Sequence, residues 1–216
     1  MSKYLDLKES KDYTKLKEVA KTIKNGGIVV FPTETVYGIG TNALNERAVK
    51  RLYEVKQRPA EKPISLLVSS IEMIEYVAKD ITDIEYGLMK EFFPGPLTII
   101  LNKNDIVPDI VTADGSTVGV RMPENEVALK LIEYAGVPIA APSANISGNP
   151  SGTDLKDIMK EFDDGVDYFI DSGKSEIGLA STIVQVIDEV PHILRKGSIS
   201  KEEIEKFVKD INKLES

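Results

Sequence analysis

A proline-framed cluster of charge able to meet a polyanion is Lys56-Gln57-Arg58-Pro59-Ala60-Glu61-Lys62-Pro63, three cations in seven residues. Pro59 and Pro63 restrict the backbone that presents them, which lowers the entropic cost of holding positive charge toward a phosphate. Three further segments offer hydroxyls, amides and one guanidinium. Phe31-Pro32-Thr33-Glu34-Thr35-Val36-Tyr37-Gly38-Ile39-Gly40 places two threonines after an apolar run, and Gly119-Val120-Arg121-Met122-Pro123 carries an arginine to a proline stop. Ala141-Pro142-Ser143-Ala144-Asn145-Ile146-Ser147-Gly148-Asn149-Pro150-Ser151-Gly152 is built of residues small enough to let backbone and hydroxyls approach a ligand closely. Each segment alone reads as an ordinary solvated turn. Together, as loops at strand ends, they supply what is needed to hold a polyphosphate and a small polar ligand, and ligands of open α/β sheets lie outside strand ends.

Composition removes many alternatives. The 216 residues include no Cys and one His, His192, which excludes disulfides, thiol catalysis, thiolate zinc sites and histidine metal clusters; no metal-ligating side chain is assigned. His192 reads as structural, because nothing beside it has triad spacing. A net charge of −8 repels phosphate backbones, so direct nucleic-acid binding is not expected. The apolar runs are far shorter than the roughly 20 residues a bilayer requires, and residues 1–10 lack a signal-type stretch, so a soluble cytoplasmic protein without membrane contact is expected. Two nucleotide signatures fail on position. Gly38-Ile39-Gly40-Thr41-Asn42-Ala43 matches a dinucleotide fingerprint in letters, but Pro32-Thr33-Glu34-Thr35 separates it from the strand it would have to follow. Gly173-Lys174-Ser175 ends like a phosphate loop, yet its first glycine position holds Tyr168.

The elements that must position these segments are readable from periodicity. Leu16, Val19, Ala20 and Ile23 give a helix over 12–25, ended by Gly26-Gly27 before a β-branched run at 28–31. Further helices are predicted over 45–56, 70–79, 82–93, 125–135 and 154–162, and after Ser200; Thr82 with Glu85 and Ser200 with Glu203 have capping-box spacing. Strands are predicted at 64–68, 97–101, 118–121, 137–141, 168–170, 182–187 and 192–194. The strands are continuous apolar runs, which implies a sheet covered on both faces. One mixed α/β domain over 1–216 is expected, three layers deep, with a twisted mixed sheet flanked by helices and a cleft lined by the four loops.

Six segments in order resemble the successive motifs of the YrdC-type threonylcarbamoyl-AMP synthases: 31–38, Lys56-Gln57-Arg58-Pro59, Pro94-Gly95-Pro96-Leu97-Thr98, Val118-Gly119-Val120-Arg121-Met122-Pro123, 141–148, and Ser181-Thr182-Ile183-Val184. The resemblance covers about 13–197, with a helix over about 200–213 beyond it, as in the short form of that family. It implies condensation of L-threonine, bicarbonate and ATP to threonylcarbamoyl-AMP and pyrophosphate, a step toward threonylcarbamoyl-adenosine in tRNA, with Mg²⁺ accompanying ATP and tRNA-modifying proteins downstream. It implies threonine contacts at Thr35, Arg121, Ala141 and Ser181, with Arg121 suited to a bidentate grip on the carboxylate. It implies ATP contacts at Arg58, Lys62, Thr117, Ser143, Ser151 and Arg195. Lys56, Arg58 and Lys62 are assigned to the triphosphate charge, with Lys56 and Arg58 as the catalytic pair, and Arg195 to the nucleotide from the far side. Leu67 stands where many relatives carry a His near the amino-acid pocket, and it cannot donate a hydrogen bond. Two other classes share the pattern: a carbamoyl-handling transferase domain similar to those of hydrogenase-maturation proteins, and a noncatalytic RNA- or ribosome-binding module.

Overall fold

Helix starts follow the sequence because side-chain oxygens take up the first free N–H groups. The computed structural model describes residues 2–10, 12–162 and 165–214. A short edge strand β1 (Lys3–Asp6) leads through a single 3₁₀ turn, Tyr13–Lys15, into α1 (Leu16–Lys24). Then come β2 (Val29–Phe31), β3 (Gly38–Asn42), α2 (Glu46–Val55) capped by Asn45, β4 (Leu66–Leu67), α3 (Ile71–Val77) capped by Ser70, and β5 (Ala78–Lys79). The expected capping box of Thr82 and Glu85 is formed at the start of α4 (Asp83–Phe92), which precedes β6 (Leu97–Lys103), α5 (Asp109–Thr112) and β7 (Thr117–Arg121). The chain continues through α6 (Glu126–Ala135) capped by Asn125, β8 (Ile139–Ala140), α7 (Leu155–Glu161) capped by Asp154, β9 (Tyr168–Asp171), β10 (Thr182–Ile187) and β11 (Val190–Arg195). The last helix, α8 (Lys201–Leu214), opens on the reciprocal bonds of Ser200 and Glu203.

All the strands join one mixed sheet in the order β1-β9-β2-β3-β8-β4-β7-β6-β10-β11, with β5 on the far end of β6. Period-two alternation divides its side chains between two cores. Val29 and Phe31 meet Leu16, Val19 and Ile23 of α1 and Leu131 and Ile132 of α6 on one face. Ile28 and Val30 point the other way, into the larger core shared by α2, α3, α4, α5, α7 and α8. The expected three layers follow, with α1 and α6 alone on one side. Among the described residues no helix is long and apolar enough to cross a membrane.

Three departures from the sequence reading bear on the site. Residues 38–40, expected within a loop, form β3 together with 41–42 and pair antiparallel with β2. Glycine hides this strand: a Cβ at Gly40 would lie 2.6 Å from Ile139 Cγ2 and 2.9 Å from the Ala140 carbonyl oxygen, so the tight strand spacing demands a residue with low strand propensity. The runs at 64–68 and 137–141 yield only the two-residue strands β4 and β8. Pro63 and Pro138, which lack an N–H, stand before them. Finally, the loop 56–63 follows α2 rather than a strand.

Candidate functional site

The loops converge because two of them are stitched directly together. After β8, the chain lies along the entry to β3, with Ile39 N donating to the Pro142 carbonyl at 3.0 Å, Ala144 N donating to the Tyr37 carbonyl at 2.7 Å, and a bridge between Gly38 and Ser143. Arg121 is the last residue of β7, Ser181 immediately precedes β10, and Arg195 ends β11 opposite Ile183. These ends enclose a cavity of about 200 Å³. Thr35, Arg58, Arg121, Ala141, Ser143, Ser151, Ser181 and Arg195 all line it, as do Leu67 and Thr98. A larger hollow of about 650 Å³ lies between β1 and α1, but its lining of Lys3, Thr14, Lys15, Glu18 and neighbours is ordinary surface. Chemistry, rather than size, selects the smaller one.

Three expected residues are elsewhere. Lys62 is exposed outside the lining, and its backbone carbonyl accepts from Arg58 Nε at 3.1 Å and from the Tyr53 hydroxyl at 2.9 Å. Thr117 sits at the opposite end of β7 from Arg121, roughly 13 Å along an extended strand. Lys56 is buried, 1% exposed, and its Nζ donates to the carbonyls of Ser143 and, at 2.6 Å, of Asn145. Burial first, then repulsion from Arg58, lowers Lys56 from 10.5 to about 7, with Glu161 opposing. A neutral amine has two N–H donors, which matches the two carbonyls. In this structure the Lys56 amine braces the Ser143 loop from behind, instead of meeting the triphosphate charge that the resemblance implies for it. His192, read as structural, is exposed on edge strand β11 opposite Gln185, outside both the cores and the cavity.

The cations that do face the cavity differ in their partners. Arg58 donates through Nη2 to the Pro63 carbonyl at 2.8 Å, and Arg195 donates through Nη2 to the Ser181 carbonyl at 2.9 Å and to Ser181 Oγ at 3.0 Å. Burial lowers both guanidinium groups from their ordinary value, and Arg195 is lowered further by Arg121 and Arg58, so the three arginines lie within reach of one another's charge. Arg121, 7% exposed, donates through Nε to the Gly95 carbonyl at 3.1 Å, through Nη1 to Thr35 Oγ1 at 2.9 Å, and through Nη2 to Glu34 Oε1 at 2.5 Å. Its burial pushes it down from the usual arginine value, opposed by Glu34. With Nε engaged, two N–H groups remain, one on each terminal nitrogen.

Three residues not singled out in the sequence join the site: Thr98 lines the cavity, and Asn145 and Glu34 back the residues that do. Thr98 and Ser181 share a hydrogen bond of 2.8 Å between hydroxyls, Ser143 Oγ donates to Asn145 Oδ1 at 2.5 Å, and Glu34 pairs with Arg121. All lie inside the six motifs, but motif membership alone could not tell which hydroxyl faces which. Gly197 presses on the same wall: a Cβ there would come within 2.3 Å of the Ser181 carbonyl carbon, so any side chain displaces the strand end that carries Ser181. The donor set does not suit a protein-held metal. Among the described residues no three His, Cys, Asp or Glu gather, and no carboxylate lines the cavity.

A family model for Sua5, YciO and YrdC proteins, described as telomere recombination, matches residues 21–197. The threonylcarbamoyl-AMP synthase of Pyrococcus abyssi is 44% identical over 211 residues, which is 98% of this chain and 62% of that protein. That of Bacillus subtilis is 41% identical over 196 residues, 90% of this chain and 57% of that one. The crystal structure of P. abyssi Sua5 complexed with L-threonine matches with a TM-score of 0.91 at 45% identity, covering 94% of this chain and 60% of that chain. The chain thus spans about six-tenths of the length of these relatives.

Proposed function

The chain belongs to the Sua5, YciO and YrdC family, and we propose from that membership that it condenses L-threonine, bicarbonate and ATP into threonylcarbamoyl-AMP and pyrophosphate. The product is the activated group for threonylcarbamoyl-adenosine in tRNA, passed on to tRNA-modifying proteins, and a cytoplasmic location goes with those substrates. The observation that carries this reading is the meeting of Thr35, Arg121, Ala141 and Ser181 with Arg58, Ser143, Ser151 and Arg195 around one cavity. The names of the relatives support it, as does the threonine complex of the P. abyssi protein.

The chemistry needs alignment and charge neutralisation more than a reactive side chain. The threonine amine takes up bicarbonate with loss of water to give a carbamate. A carbamate oxygen then forms a bond to the α-phosphorus as the bond to the bridging oxygen breaks, and pyrophosphate leaves with the electron pair. Arg58 and Arg195, held by carbonyls and the Ser181 hydroxyl, supply positive charge where negative charge grows on the leaving group. Arg121, Thr35 and Ser181 hold the amino acid so that the carbamate lies in line. Mg²⁺, when present, comes with the triphosphate and screens its charge.

Pyrophosphate release tests this directly, with threonine and bicarbonate supplied and omitted in turn. Release should require both. Threonine should exceed serine by about 1–3 kcal/mol in kcat/KM, and valine should fall lowest because a site built to bond a hydroxyl penalises its absence. Release that needs bicarbonate or a carbamoyl donor but no amino acid would replace this reading with a carbamoyl-handling one.

A further inference from the structure

Glu34 is 5% exposed, and its carboxylate makes one contact: Oε1 accepts from Arg121 Nη2 at 2.5 Å. Oε2 is buried and has no partner among the described residues. A carboxylate retained for the stability of the fold would be expected to satisfy both oxygens, since an unmet buried acceptor is costly. Glu34 instead faces Arg121 alone. Its backbone carbonyl anchors the segment independently, accepting from Ile177 N at 2.9 Å, and the neighbouring Thr35 carbonyl accepts from Gly178 N at 2.8 Å, so the side chain is not needed to hold the loop.

The charge pattern gives this pairing a meaning. Arg58 and Arg195 are held by neutral groups and keep their full positive field toward the cavity. Arg121 is matched by one carboxylate at contact distance, which cancels most of its long-range field while leaving its remaining N–H donors directional. A polyphosphate is served by the first arrangement. An amino acid is a zwitterion with no net charge, and it is served by the second.

Building on the proposed synthase reading, we propose that Glu34 is a positioning residue for amino-acid recognition: it fixes the Arg121 guanidinium so that one N–H from each terminal nitrogen meets the substrate carboxylate, and it makes the pair a neutral, directional receptor for a zwitterion. Glu34 acts through Arg121 and touches no reacting atom. Selectivity between the two ligands then resides in whether an arginine has a carboxylate partner.

The test is direct binding of L-threonine and of ATP, each alone, measured by calorimetry on the wild type, Glu34→Gln, Arg121→Gln and the double variant. Glu34→Gln keeps the shape and removes the charge. The expected result is a rise in the Kd for threonine on the order of ten- to a hundredfold with ATP binding changed less than about threefold, and no further loss when Glu34→Gln is added to Arg121→Gln. Unchanged or tighter threonine binding overturns the proposal, because an arginine merely freed of its counter-charge should attract a carboxylate more strongly. Additive losses in the double variant also overturn it, since Glu34 would then act on its own. Should Glu34→Gln fail to fold, Glu34→Asp retains the charge and shortens the side chain by one methylene; severalfold weaker threonine binding supports the proposal, and wild-type affinity overturns it. A wild type that binds threonine but releases no pyrophosphate refutes the synthase reading and leaves the role of Glu34 open to the same measurements. A wild type that binds no threonine refutes both.

Discussion

Deep in the site, Lys56 and Arg121 are 1% and 7% exposed and each is tied to groups far away in the chain, Lys56 to the Ser143 and Asn145 carbonyls and Arg121, which also lines the cavity, to Glu34, Thr35 and Gly95. At the mouth, Arg58 is half-buried and bonded to its own loop, and Arg195 is an exposed residue whose guanidinium bonds Ser181. The inner cations hold other parts of the site in place, Arg121 keeping one N–H on each terminal nitrogen for a ligand as well, whereas the outer ones are bonded locally and leave their charge to a ligand. Removing the first kind should therefore be felt by fold and activity together, and removing the second by ligand use alone.

The largest effect is expected at Lys56. Lys56→Met strips two buried carbonyls of their donor and should cost about 2–4 kcal/mol of stability, partly offset by the end of amine burial. It should also lower pyrophosphate release at least about tenfold through a loosened Ser143 loop. Urea unfolding paired with the pyrophosphate assay measures both, and normal stability with lost ATP affinity would move Lys56 from the inner wall to the mouth. The same residue gives a pH signature. Its folded value of about 7 lies below the unfolded 10.5, so between those values the unfolded chain binds a proton the folded chain does not. Stability from this group therefore rises with pH across that window, by at most about 1.4 kcal/mol per unit, and below it the folded chain carries the whole cost of the buried cation. Lys56→Met should flatten this slope in unfolding midpoints taken from neutral pH upward.

Arg58→Ala should separate the two regions most cleanly. Loss of a charge-assisted contact should reduce kcat/KM for ATP by about 2–4 kcal/mol, while the melting temperature stays within a few degrees of wild type. A large drop in melting temperature would erase the distinction between wall and mouth. The smallest effect is expected for Lys62→Ala. Its side chain is exposed and outside the cavity, so kcat/KM for ATP should change by less than about 0.5 kcal/mol. A tenfold loss would mean that the 56–63 loop brings Lys62 inward when ATP binds, and would sharpen the comparison by adding a third mouth cation.

Much of this architecture is legible in the chain. The apolar runs of β2, β6, β7 and β10 and the caps at Asn45, Ser70, Thr82, Asn125, Asp154 and Ser200 announce themselves, because a buried strand and a helix N-terminus each impose a local chemical requirement. Edge strand β1 is not legible, since its residues are mostly exposed and carry no apolar pattern. Strand β3 is hidden by the glycines that its close packing requires. At the site, Thr35, Arg58, Arg121, Ser143, Ser181 and Arg195 were identifiable by resemblance, and they line one cavity. Glu34 and Thr98 stood in the same motifs with no local mark of their roles.

Local chemistry along the chain settles the order of elements, where helices begin, the absence of thiol chemistry and the supply of cations near Lys56 and Arg121. Tertiary structure alone decided which of those cations would face a ligand. Lys56 meets Ser143 and Arg121 meets Glu34 across 87 residues of chain in each case, and these contacts depend on strands β3, β8 and β7 being drawn into one sheet. Helix starts respond to neighbours three or four residues away, but the charge state and orientation of a buried cation respond to whatever desolvates it and accepts its hydrogen bonds, and those groups are near it only once the chain has folded.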